Sequence, residues 1–149
     1  MNLSPERQAV IKTELENRLG ELTRQADREI QEIKTERYQP PEKIRKINNR
    51  HIEKMQEMAN FAVKTYLDAY ETDNEILSSN DTVEIVLQLT AFLNDATLKR
   101  DNKVGSMHNL FNDTEQYIKD ILEGARSGLE TARIKIEHES KSVSDHVKT

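Results

Sequence analysis

The chain contains no cysteine and no tryptophan, and it has only four glycines and three prolines. The absence of cysteine excludes disulfide bonds and thiolate chemistry, and it is typical of proteins from a reducing compartment. No stretch approaches the roughly 20 consecutive apolar residues of a membrane-spanning helix, and no N-terminal run resembles a signal peptide. We therefore expect a cytoplasmic protein without a membrane span.

Charged residues make up 33% of the 149 positions and aromatic residues only 5%, with a formal net charge of -5. Such a composition is typical of intrinsic disorder as well as of solvent-rich helices. The apolar residues, however, recur at regular helical intervals, which a disordered chain does not require. This periodicity favours a folded, helical protein.

The clearest periodicity lies in the first 33 residues, where apolar positions are separated by four, four and three residues in turn. The stripe consists of Ile11, Leu15, Leu19, Leu22, Ala26, Ile30 and Ile33. Eleven residues in three turns is close to the 3.6 residues per turn of a straight helix. With Ser4 as N-cap, Pro5 in the first turn and Pro40 after the end, the pattern predicts a helix over 5–37.

Similar stripes predict helices over 42–71 and 107–139. The start of the last helix is ambiguous, because Ser106 and Asn112 are both acceptable N-caps. The short connection after the first helix favours an antiparallel hairpin with the second.

A further helix is predicted over 82–100, with Asp81 and Glu84 as its capping pair. Its apolar residues surround the helix on most sides, which predicts a central, fully buried element.

Together these elements predict an all-α protein, an elongated antiparallel bundle of about four helices with a long coiled-coil-like hairpin. The bundle would form one domain over 1–139, followed by a flexible tail over 140–149. Because the third helix is the shortest, we expect Ile11 and Ile33 to be incompletely covered within one chain. A second copy could cover them, so a homodimer or larger homo-oligomer is expected.

Chemistry-bearing motifs are scarce. The four histidines lack the spacing of zinc or di-iron ligands, and His51 fits better as a hydrogen-bonded residue at the core boundary. The glycines form neither a phosphate-binding loop nor a dinucleotide fingerprint, and no serine or threonine has a recognisable base beside it. We therefore expect no catalytic, cofactor-binding or metal-binding residues and no cofactor.

Two other patterns point to binding. Gly124 and Gly128 are four residues apart in the last helix, which favours a close crossing with another helix, within the chain or in an oligomer. Basic residues at helical spacing in the second helix form what we term the basic stripe. Its members are Lys43, Lys46, Arg50 and Lys54. The stripe could bind phosphate, an acidic partner or the acidic region of another copy of this chain, or it could be a solvated face with neighbouring glutamates.

These observations favour a non-enzymatic protein–protein interaction module, such as an adaptor, inhibitor or assembly factor, which binds an unidentified protein partner. The net charge of -5 and the lack of interleaved aromatic residues in the basic stripe do not favour nucleic-acid binding, while the segment 65–98, with seven acidic residues and no basic one, would suit a mimic of nucleic acid. Two alternatives remain open. One is a protein that binds or mimics nucleic acid, and the other is an enzyme whose site forms across a subunit interface.

Overall fold

The computed structural model describes residues 1–34, 41–104 and 114–147, with side chains placed except at 33–34, 41, 43–44, 104 and 139–147. The described chain contains four helices and no strand, so the predicted all-α bundle is confirmed. The helices are α1 (Pro5–Lys34), α2 (Pro41–Thr72), α3 (Ser79–Val104) and α4 (Thr114–Val147).

The four helices run alternately up and down. Contacts fix their order around the bundle, in which α2 packs mainly against α1 and α4, while α3 packs mainly against α4. Arg7 at the start of α1 pairs with Asp73 just after α2, so these helices are antiparallel. Lys103 near the end of α3 pairs with Asp27 in the second half of α1, so α1 and α3 run in the same direction.

The ends of α1 and α2 follow from local hydrogen bonding. Ser4 is the N-cap predicted for α1, because its Oγ accepts a hydrogen bond from the backbone N–H of Arg7 at 3.1 Å. At the other end of the hairpin, Asn74 adopts a left-handed φ of 53° directly after α2. The N–H of Glu75 then donates to the carbonyl of Tyr70 at 2.9 Å, which closes a Schellman motif.

The start of α3 differs from the sequence prediction. Ser78 caps the helix, accepting a hydrogen bond from the N–H of Asp81 at 3.1 Å. Asp81 is 2% exposed, and its carboxylate accepts a 2.6 Å hydrogen bond from the Tyr70 hydroxyl. The predicted Asp81–Glu84 capping pair is therefore wrong, because the aspartate serves as a buried acceptor between helices.

The core runs along the whole bundle and includes almost the complete α1 stripe. Ile11 is 2% exposed, so the expectation that a short third helix would leave it uncovered is wrong. The reason is the register of the parallel helices α1 and α3, in which the Asn2–Asp81 and Asp27–Lys103 contacts place Ile11 within the length of α3 and not beyond its end. Ile33 lies outside the residues whose side chains are described.

The remaining helix boundaries differ at their ends. α1 is described as far as Lys34, and α2 begins at Pro41, where a proline fits the first turn. Helix α4 continues to Val147, well into the span predicted as a flexible tail. The two alternative caps for α4, Ser106 and Asn112, lie outside the described residues.

Candidate interaction surface

Helix α3 has two apolar faces rather than one. Its inward face is formed by Ile85, Leu89, Leu93 and Ala96, each at most 2% exposed. On the opposite side lie Val83, Leu87 and Leu98, which are 57%, 63% and 60% exposed. The prediction of a fully buried third helix is therefore wrong, since its second apolar face points away from the core.

The outward residues lie on one line. Val83, Leu87, Ala91, Asn94 and Leu98 are separated by four, four, three and four residues, and we term them the outward stripe. This spacing keeps side chains on one face of a straight helix. From Val83 to Leu98 the stripe is about 22 Å long at 1.5 Å per residue.

Hydrogen bonds to neighbouring helices fix the orientation of α3. The Thr82 hydroxyl contacts the Glu130 carboxylate of α4 at 2.9 Å, and the Tyr66 hydroxyl of α2 donates to Gln88. Burial raises the pKa of Tyr66 to about 12, so its hydroxyl stays protonated as a donor. The outward stripe is thus held on a rigid element.

Charges beside the outward stripe are distributed unevenly. Glu84, near the start of α3, lies 3.3 Å from the N-terminal ammonium of Met1. Asp95 and Lys99, near the other end, form an exposed ion pair at 3.0 Å. All three helical side chains lie on the same flank of the stripe, because eleven residues separate Glu84 from Asp95 and four separate Asp95 from Lys99.

The basic stripe of α2 lies beside carboxylates of its own chain. Arg50 Nε is 3.8 Å from a Glu29 carboxylate oxygen, and Lys54 Nζ is 3.9 Å from Glu57. Lys46 is exposed and lines a cavity together with Glu29. The Lys43 side chain lies outside the described positions. This arrangement favours the interpretation of the basic stripe as a solvated face with glutamate neighbours.

The glycine pair of α4 makes no close helix contact within the described chain. Gly124 and Gly128 are exposed, and a Cβ atom added at either would meet nothing within 4 Å. They border a groove of about 450 Å³ between α2 and α4, with Ala59, Val63 and Leu67 on its α2 side. A close contact at these glycines with a second molecule stays a prediction.

Near the opposite end of the bundle from Asp81, His51 is 4% exposed and contacts Thr97, with 3.0 Å between Nε2 and Oγ1. The Thr97 hydroxyl donates to the Leu93 carbonyl, so we infer that Nε2 carries the proton and donates to Thr97. Burial, with a smaller contribution from the Arg100 charge, lowers the pKa of His51 to about 3. A neutral imidazole with such a pKa is a weak general base.

The buried guanidinium of Arg100 is also held by polar partners. It donates to the Asp101 carboxylate at 2.8 Å and to the Asn48 side-chain oxygen at 2.9 Å. The Thr114 hydroxyl of α4 donates to the same Asn48 oxygen at 2.9 Å. Burial lowers the pKa of Arg100, and Asp101 counteracts this shift. The cluster connects α2, α3 and α4 and fits a structural role.

A cavity of about 150 Å³ lies beside this cluster, with His51 and Arg100 in its lining. Among the described residues, no group of three or more histidine, aspartate or glutamate side chains could hold a metal ion. None of the four helices, over the ranges given above, could cross a membrane.

Sequence reasoning missed the outward stripe, although its signal was present. The apolar residues around α3 predict complete burial when they are taken together, whereas their spacing also separates them into two stripes on opposite faces.

Comparison of the chain with protein-family models, curated proteins and solved structures found no match.

Proposed function

We propose that the chain is a non-enzymatic protein–protein interaction module whose outward stripe on α3 binds a partner. The observation that carries this proposal is the alignment of three large apolar side chains, each more than half exposed, on one face of a fixed helix. Single exposed apolar residues are common on protein surfaces, but several large ones on the same face of a fixed helix are typical of interaction sites.

The dimensions of the stripe favour a helix as the bound element. An amphipathic helix inserts side chains at three- and four-residue spacing, which matches the spacing of Val83, Leu87 and Leu98. Ala91, near the middle of the stripe, allows close approach of a second helix. The role would be that of an adaptor, an inhibitor or an assembly factor, and a cytoplasmic location is part of the proposal.

The basic stripe and the glycine pair are weaker candidates for this role. The basic stripe contains no apolar side chain, and its cations lie close to Glu29 and Glu57. The groove beside the glycines has lysine and aspartate at its edge and no large exposed apolar side chain among its lining residues. The outward stripe of α3 is therefore the strongest of the three candidate binding surfaces.

The proposal is tested by affinity capture from lysate with three tagged forms of the chain. The variant Leu87→Asp places a charge in the outward stripe, while Val10→Asp makes the same kind of change at a 48% exposed valine of α1. We expect at least one protein, which can be a second copy of this chain, to be retained by wild type and Val10→Asp. Leu87→Asp should reduce its recovery at least tenfold.

The captured protein is then purified and its affinity for each form is measured by isothermal titration calorimetry. Circular dichroism verifies that all three forms have the same helicity. If every captured protein binds Leu87→Asp as strongly as Val10→Asp, the outward stripe is not the binding surface and the proposal is wrong.

A further inference from the structure

We propose that the partner of the outward stripe is a second copy of this chain, bound antiparallel so that two α3 helices pack against each other. This inference rests on the proposed function and specifies its partner. It is carried by two independent properties of the stripe, namely the order of large and small residues and the order of flanking charges.

The order of residue sizes is compatible with a two-fold axis near the middle of the stripe. Val83 lies eight residues before Ala91, and Leu98 lies seven residues after it. In an antiparallel pair, Val83 of each copy therefore lies opposite Leu98 of the other, about 11 Å from the axis. The two Ala91 residues meet near the axis, where their small side chains let the backbones approach.

The order of charges distinguishes antiparallel from parallel packing. In an antiparallel pair related by a two-fold axis, the same flank of both helices lies on the same side of the contact. The N-terminal end of one helix then lies beside the C-terminal end of the other. Glu84 of one copy then lies near Lys99 of the other, while a parallel two-fold pair would place the two Glu84 flanks on opposite sides of the contact and keep Glu84 and Lys99 about 22 Å apart along the helices. In an antiparallel pair the two helix macrodipoles also point in opposite directions, and their interaction is favourable.

A fourth apolar side chain lies next to this surface. Ile134 of α4 is 57% exposed and follows by one helical turn after Glu130, whose carboxylate contacts Thr82 of α3. This position places Ile134 beside the N-terminal end of the outward stripe. In the antiparallel pair, Leu98 of the second copy approaches the same end, so Ile134 extends the apolar contact at both ends of the dimer.

Disulfide cross-linking tests the inference directly, because the natural chain contains no cysteine. Three full-length variants, Val83→Cys, Leu98→Cys and Val10→Cys, are oxidised separately and in pairs, and covalent dimers are measured on non-reducing gels. We expect the mixture of Val83→Cys and Leu98→Cys to give at least fivefold more dimer than either variant alone. Mixtures containing Val10→Cys should give only the background of random collision.

Two outcomes overturn the inference. Efficient cross-linking of Val83→Cys alone indicates parallel packing, and background cross-linking in every mixture indicates that the stripes of two copies do not meet. In either case the capture experiment separates the two proposals, because a different protein that depends on Leu87 would still support the interaction role. All three substitutions are at exposed positions, and circular dichroism verifies folding before oxidation.

Discussion

At the scale of single residues, His51 is a buried side chain whose pKa lies far below its ordinary value. Its imidazole lies among core residues of α2 and α3 and is held by the Thr97 hydroxyl. Because burial and the nearby Arg100 charge lower its pKa to about 3, His51 stays neutral where an unfolded chain would bind a proton. Its titration is therefore linked to folding.

The sign of this linkage gives a prediction. A histidine in the unfolded chain binds its proton near pH 6.5, while His51 in the folded chain does not until about pH 3. The stability contributed by neutral His51 is complete above about pH 6.5 and is lost as the pH falls. We expect the free energy of unfolding to decrease by about 1 kcal/mol between pH 6 and pH 5.

Urea unfolding at pH 7, 6 and 5 measures this slope in wild type and in His51→Gln, which keeps a side-chain donor for Thr97. The slope should flatten in His51→Gln, whereas His138→Gln at an exposed position of α4 should behave like wild type. Asp81, whose lowered pKa reflects hydrogen bonds from Tyr70 and Asn2 that outweigh its burial, contributes only at more acidic pH. If the free energy of unfolding falls as steeply with pH in His51→Gln as in wild type, a buried neutral His51 is not the cause of that fall.

The sequence placed His51 on the apolar stripe of α2, but its partners could not be predicted. Thr97 and Arg100 are 46 and 49 residues away along the chain, on a helix that the sequence predicts to be apolar on most sides. Helical periodicity specifies which residues of one helix share a face. It does not specify which polar groups of two helices meet.

At the scale of helices, the sequence predicts a close helix contact at the two glycines of α4, but the structure leaves open space beside them within one chain. A glycine inside a helix costs about 1 kcal/mol relative to alanine, and such a cost is offset where helices approach closely. The surroundings of Gly124 and Gly128 leave open space for a Cβ atom. Within one chain the cost therefore has no compensating contact.

We expect Gly128→Ala to increase the free energy of unfolding by about 0.5 to 1 kcal/mol, because alanine restricts the unfolded chain and favours the helix. Chemical denaturation of the dilute protein measures the change, and Gly124→Ala is the matched second variant. A loss of stability on either substitution would indicate that a second molecule packs against these glycines.

Some features of α3 follow from the spacing of its own residues, and others depend on the neighbouring helices. Its existence and apolar character follow from residue spacing, and its boundaries differ by three and four residues from the predicted span. Whether an apolar face is covered depends on the positions of other helices, which spacing within one helix does not contain. Residue spacing alone therefore predicts one buried surface around α3, where the structure has a buried face and an exposed face.

At the scale of the whole molecule, polar groups tie the bundle together near both of its ends. At one end Asp81 accepts hydrogen bonds from Tyr70 and from the backbone N–H of Asn2, which connects α2 and α3 with the segment before α1. Towards the other end Arg100 and Asn48 connect α3 and α2. Buried apolar residues fill the length between them. This arrangement fixes α3 and leaves its outward stripe as a rigid apolar surface.

The most direct measurement is sedimentation equilibrium of wild type, Leu87→Asp and Val10→Asp over a wide range of protein concentration. Only three large apolar side chains of the stripe are exposed, so we expect a weak dimer with a dissociation constant on the order of micromolar. Wild type and Val10→Asp should pass from monomer to dimer as concentration rises, and Leu87→Asp should remain monomeric. A monomeric wild type at all concentrations, or a dimer that Leu87→Asp leaves intact, would contradict self-association through the outward stripe of α3.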